Sequence, residues 1–159
     1  MAAYGTDTPD WQALPWHWAA ERLMANHNYW VVTVSANGAP HALPVWGVWD
    51  DDDLQFMFSC APTARKARNI AANPKVAVTV DSTVECISVE GTATLLADLS
   101  RIDTWVDRYV AKYGPESPEG FADFVRSHAV FEVTPTKALA IIEREVEFAT
   151  RATRWRFPS

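Results

Sequence analysis

The stretch YWVVTVSANGAPHALPVWGVWDDDDLQFMFS, residues 29–59, decides the fold. Tyr29–Ser35 is dense in β-branched and aromatic side chains, which suit a pleated, half-buried surface. Asn37-Gly38 then supplies the positive φ that a tight hairpin turn requires. Pro40–Trp49 reads as the return strand, with Pro44 marking an edge, a bulge or an interruption because proline cannot donate to a ladder. Asp50–Asp53 reads as a solvated turn, and Leu54–Ser59 completes a three-stranded meander.

The elements on either side follow from the same rules. Residues 1–14 read as a loose arm, and Pro15 can open a helix whose spacing runs through Trp18, Arg22 and Leu23. Thr63 is the expected cap of a short helix over Ala64–Ala72, ended by Asn73-Pro74. Val76–Asp81 and Val84–Leu95 read as strands, the second with a bulge at Glu90-Gly91. The strongest helical pattern is LSRIDTWVDRYVAKYG, with Ser100 as expected cap, an apolar face from Leu99 to Val110, and Gly114 at its end. Ser117-Pro118 is the expected start of another short helix reaching His128. Val130–Thr134 and Leu139–Glu143 read as two further strands, and residues 144–159 as a polar tail with aromatic anchors. Many hairpin-linked strands with a few helices imply a mainly β, closed antiparallel barrel with helical additions, in which closure removes exposed edges.

Bulk composition narrows the function. The 159 residues suit one domain, residues 1–159, and carry a net charge of -6, which argues against a nucleic-acid or anionic-membrane partner. Cys60 and Cys86 lack CxxC spacing and read as reduced, half-buried thiols of a cytoplasmic protein. The first ten residues show no basic-then-apolar signal pattern, and no segment has the apolar length of a membrane span. The four histidines have no metal-ligand spacing, and no GxSxG or glycine-rich phosphate loop is present. His41, on a strand, reads as an ordinary hydrogen-bonded histidine rather than a proton donor.

The informative anomaly is charge placement. From Leu54 to Val80 there is no acidic residue, yet Arg65, Lys66, Arg68 and Lys75 all fall there. Three of these cations crowd the first turns of a helix, whose N-terminus is already positive, at a cost of about 0.3–1 kcal/mol each. Either this is a solvated basic face, or free N–H groups, helix dipole and cations converge on a phosphate or carboxylate.

The order of elements, with TARKARNIAANPKVAVTVD (63–81), ISVEGTATLL (87–96) and the terminal TRWRF (153–157), resembles the pyridoxamine 5'-phosphate oxidase-like split-barrel family. It is particularly similar to the actinobacterial branch that uses flavin or the deazaflavin coenzyme F-420. The resemblance implies a homodimeric split antiparallel β-barrel with two equivalent sites between subunits. It also implies that Ser59, Arg65, Lys66 and Arg68 hold a phosphate or anionic tail, supported by Asn69. Pro44, Val45 and Trp46 would then lie against the tricyclic ring, with Val78, Thr79 and Val80 nearby. Residues 144–159 would close the pocket, often from the partner chain, making Trp155 and Arg156 candidates; Trp155 read alone is equally an anchor that pins the tail. The implied activity is hydride transfer from reduced F-420 to an organic acceptor. FMN as cofactor, or a carrier without catalysis, are the alternatives. No catalytic side chain and no metal ligand is assigned.

Overall fold

The computed structural model describes residues 9–114 and 119–158. Seven strands form one sheet: β1 (Asn28–Val34), β2 (Pro40–Asp50), β3 (Gln55–Cys60), β4 (Lys75–Val80), β5 (Glu85–Leu95), β6 (Ala129–Ile142) and β7 (Thr153–Arg156). Their order is β3-β2-β1-β4-β5-β6-β7, and β3 pairs again with β6, so six strands close into an antiparallel barrel. The split lies along β6. Its first part, Ala129–Val133, pairs with β3, whereas Lys137–Ala140 pairs with β7.

Alternation decides what fills the barrel. Tyr29, Val31, Phe56, Phe58, Val78, Ile87, Val89 and Val133 are all buried in one cluster. Each such side chain contributes about 1.5–3 kcal/mol relative to exposure. The helices α1 (Trp16–Ala25) and α2 (Arg65–Ala72) add Ala19 and Leu23, and Ala67 and Ile70, to that cluster. A second core lies outside the barrel wall. There α3 (Leu99–Tyr113) and α4 (Phe121–Arg126) bury Trp105, Val106, Tyr109, Tyr113 and Val125 against Val48, Met57 and Val130. A last helix, α5 (Glu145–Thr150), precedes β7. Among the described residues no helix is long and apolar enough to cross a membrane, and no cluster of His, Cys, Asp and Glu has metal-binding geometry.

Several local expectations hold. The Asn37-Gly38 turn has Gly38 at φ 85°, the β5 bulge falls between Glu90 and Gly91, and both cysteines are free and half-buried. Pro44 stays in register with Trp30, and β3 begins to pair only at Gly47, so the strand around Pro44 has one free edge, where a missing N–H is tolerated.

Other expectations change. Ala64, without a side-chain bond, is the N-cap of α2 in place of Thr63. Asp98 caps α3 in place of Ser100, accepting from the Ser100 and Arg101 N–H groups at 2.8 and 3.1 Å. The two strands predicted around Pro135 are one, because Pro135 sits opposite the Gly91 bulge, where the ladder is already irregular. The expected turn falls at residues 51–54, with Asp52 and Asp53 exposed, but Asp50 ends β2, buried and paired with Arg108. Asp51 accepts from the indoles of Trp16 and Trp49 at 2.9 and 3.1 Å, and Asp53 pairs with Arg101 at 2.9 Å. Residues 9–14 of the expected loose arm are tied down, with Trp11 Nε1 donating to the Ala152 carbonyl at 2.9 Å and the Leu14 N–H to Thr153 Oγ1 at 2.8 Å. Residues 1–8 and the Ser117-Pro118 helix start lie outside the described residues.

Candidate functional site

Helix α2 is anchored so that its first turn is held at a fixed place. Ala67, Asn69 and Ile70 are its buried face, and Asn69 Nδ2 donates to Thr33 Oγ1 of β1 at 2.9 Å in the interior. Asn69 thus works as a structural tie between helix and barrel. The opposite face carries Arg65 and Arg68, exposed, with Lys66 half-buried. Among the described residues none of these three cations has an ion pair. With no acidic residue between Leu54 and Val80, nothing local offsets their charge.

Their field reaches two neighbours. His41 faces Thr33 across β1–β2. Its imidazole is held below the ordinary value by loss of solvation, then by Arg65 and by Lys66. Its buried Nδ1 has no hydrogen-bond partner among the described residues, so the expectation of an ordinary bonded histidine fails. Burial pushes the Cys60 thiol up, while Lys66 and the Ala67 N–H pull it the other way. Arg65, Lys66, His41 and Cys60 therefore share one neighbourhood. An anion fits it on charge: two unpaired cations, the helix N-terminus and an orphaned imidazole nitrogen face no carboxylate.

The other expected residues are distributed as strand alternation dictates. Val45, Val78 and Val80 point inward and are buried at 9, 1 and 5% exposure, so their side chains cannot wall an external ligand. Pro44 and Thr79 flank Trp30 in one row across β2, β1 and β4. Trp30 is 43% exposed, and with Leu43 at 46% it leaves apolar surface uncovered. Trp46 stacks on Tyr113 with centroids 4.9 Å apart and also meets His27. Ser59 lies beneath α3, hydrogen-bonded to Tyr109. Arg68 turns to an apolar cleft of about 580 Å³ with Ile70, Ala71 and Phe131. Trp155 packs edge-on against Trp16 at 5.4 Å and is half-buried. Arg156 lines a separate cleft with Lys75 and Lys137. Within one chain Arg65 and Lys66 come together at the start of α2 with Arg68 one turn on along the helix, Ser59 is bonded to Tyr109, and Trp155 and Arg156 lie on β7.

Sequence reasoning missed the group around Lys112. Lys112 Nζ donates to the Tyr29 hydroxyl at 2.6 Å and to the Gly47 carbonyl at 3.1 Å, and burial pushes its ammonium down to about 8. Tyr113 donates to the same Gly47 carbonyl at 2.7 Å, and its hydroxyl is pushed up to about 12 by burial. The available signal was a lysine one position from the apolar face of α3, indistinguishable from a cation complementing a helix C-terminus.

Comparison with known proteins places these features. The family described as pyridoxamine 5'-phosphate oxidase matches residues 6–141. No curated relative matches the chain. Among solved structures, an F-420 reductase is 25% identical, with 74% of this chain and 94% of that one covered and a TM-score of 0.57. An FAD-binding protein from Mesorhizobium loti is 19% identical, covering 79% and 92%, with a TM-score of 0.62. HutZ, the heme storage protein from Vibrio cholerae, is 16% identical, covering 78% and 91%, with a TM-score of 0.61. The last two likenesses concern the fold.

Proposed function

The chain belongs to the pyridoxamine 5'-phosphate oxidase family, and on that premise we propose that it is an oxidoreductase that binds reduced coenzyme F-420 and passes hydride to an organic acceptor. The observation that carries the reading is the unpaired couple Arg65 and Lys66 at the start of α2, beside the orphaned nitrogen of His41. The likeness to an F-420 reductase supports this cofactor over FMN. A bound deazaflavin or flavin itself supplies the hydride chemistry.

The work of the protein is binding, orientation and exclusion of water. Arg65 and Lys66 neutralise phosphate or tail carboxylates, and the first N–H groups of α2 add donors. Pro44, Trp46 and Thr79 offer the ring an outer strand surface. The exposed Trp30 and Leu43 are suited to burial against a second copy of the chain, giving a homodimer. In that dimer Trp155 and Arg156 of the partner chain close the site. The two free thiols support a cytoplasmic location.

The test is a fluorescence titration with F-420, a form lacking the glutamate tail, and FMN. F-420 is expected to bind most tightly, the truncated form more weakly, and added salt to weaken both. Lys66→Ala should cost about 1.5–3 kcal/mol of affinity, the range for a hydrogen bond to a charged group. Binding should also raise the His41 imidazole pKa, read by NMR, since the anion offsets Arg65 and Lys66. Tighter binding of FMN would move the assignment to a flavin enzyme. Failure of an acceptor panel to speed oxidation of the bound reduced cofactor would move it to a carrier.

A further inference from the structure

Away from α2, three of four neighbouring strands gather cations on one face. Lys75 of β4, Lys137 of β6, and Arg154 and Arg156 of β7 line an open cleft of about 530 Å³. Val76 and Thr153, next along their strands, are buried at 6 and 5% exposure, so Lys75, Arg154 and Arg156 point outward by alternation. Register explains the convergence. Lys75 faces Thr92, the bulge follows at Glu90 and Gly91, and Lys137 lies directly opposite Arg156.

Two features set this face apart from an ordinary solvated surface. Like charges placed directly opposite across a strand pair are destabilising, yet Lys137 and Arg156 occupy such a pair in a chain whose net charge is -6. Glu90 is the cleft's lone carboxylate, and it is already engaged by Lys137 at 2.8 Å. Arg154 has an interaction of its own. Lys75 and Arg156 remain without an ion pair among the described residues. Between them lie Thr92, in register with Thr134, and Thr136 at the bulge, whose hydroxyl donates to the Glu90 carbonyl at 3.1 Å.

We propose that this cleft binds a small ligand carrying at least two negative charges, as phosphate or carboxylate groups, at a site separate from the first turn of α2. Two charges are required by the span. Neighbouring strands lie about 4.8 Å apart, so β4 and β7, three steps from one another, are separated by roughly 14 Å along the sheet. A single compact monoanion does not satisfy cations at both ends, whereas two linked anionic groups do. None of the first-turn residues of α2 lines this cleft; the residue it shares with the F-420 reading is Arg156, so Lys75→Ala tests the cleft by itself.

The experiment titrates the full chain with inorganic pyrophosphate and with citrate by calorimetry, at constant ionic strength. Saturable binding of one anion per cleft is expected, with the stronger of the two probes reporting whether phosphate or carboxylate spacing fits better. Lys75→Ala and Arg156→Ala should each weaken it at least tenfold, while Lys66→Ala changes it less than twofold. Circular dichroism establishes that each variant is folded, and Lys75→Ala, on an exposed side chain, keeps the test open should Arg156→Ala misfold. Non-saturable binding of both probes, or loss on Lys66→Ala with Lys75→Ala unaffected, overturns the proposal.

Discussion

Replacing Lys112 with methionine tests the burial argument most directly. A lysine pushed down to about 8 by burial resists protonation in the folded state but not in the unfolded one. The sign follows: between the folded and unfolded values the unfolded chain holds the extra proton, so stability rises with pH there. Near pH 7 the ammonium is charged in both states, and the shift from the 10.5 reference value corresponds to a penalty of about 3 kcal/mol, at about 1.4 kcal/mol per unit. By about pH 9.5 most folded molecules carry neutral Lys112, and the penalty falls to roughly 1 kcal/mol. Methionine keeps the aliphatic stem and abolishes the charge. It forfeits the bonds to Tyr29 and Gly47, a loss of about 1 kcal/mol. Neither partner is orphaned, since the Tyr29 hydroxyl donates to the Leu23 carbonyl and Tyr113 donates to the Gly47 carbonyl. Lys112→Met should therefore be more stable near pH 7 by about 2 kcal/mol, an advantage that vanishes by about pH 9.5. Urea denaturation of both proteins across that range reads the difference. Cys60, Cys86 and the buried tyrosines, all raised by burial, are common to both proteins and cancel. A variant that is less stable at neutral pH, or a difference that does not move with pH, refutes the reasoning.

Gly91→Ala would place a Cβ 2.2 Å from the Thr134 carbonyl oxygen; because that neighbour is backbone, a loss of about 1–3 kcal/mol or more is expected in the urea midpoint, and an unchanged midpoint would show that β5 and β6 can separate at the bulge without cost. Glu85 holds Arg22 and Arg144, each at 2.6 Å. Their hydrogen bonds hold its carboxyl below the ordinary value, Arg22 most and then Arg144, so its contribution is present above the unfolded value and lost as pH falls through the folded one. Glu85→Gln should cost about 1 kcal/mol near pH 7, as for a partly exposed pair, and flatten the acid limb of the stability profile; a midpoint and an acid limb both unchanged would show the pair to be energetically silent.

Most strands were legible because their information is local. Alternation from Tyr29 to Val80, the Asn37-Gly38 turn and the Glu90-Gly91 bulge each depend on residues a few positions apart. The same locality exposed the cations of α2, whose chemical type and helical position need no neighbours to be recognised. What locality could not supply was the partner. Asp50 looks solvated in a run of four carboxylates until Arg108 arrives from α3. Pro135 looks like a strand break until Gly91 stands opposite it. Ser59 and Arg156 share the polar chemistry of the α2 anion site, but within one chain Ser59 bonds to Tyr109 and Arg156 stands on β7 in a separate cleft. Consecutive strand residues such as Pro44, Val45 and Trp46 cannot all face one ligand, because their side chains alternate. The sequence alone determined which residues share a face and where charge is misplaced. Only the pairing of β3 with β6 decided which of those faces became the inside of a barrel, because closure is set by contacts between residues 69 to 77 positions apart.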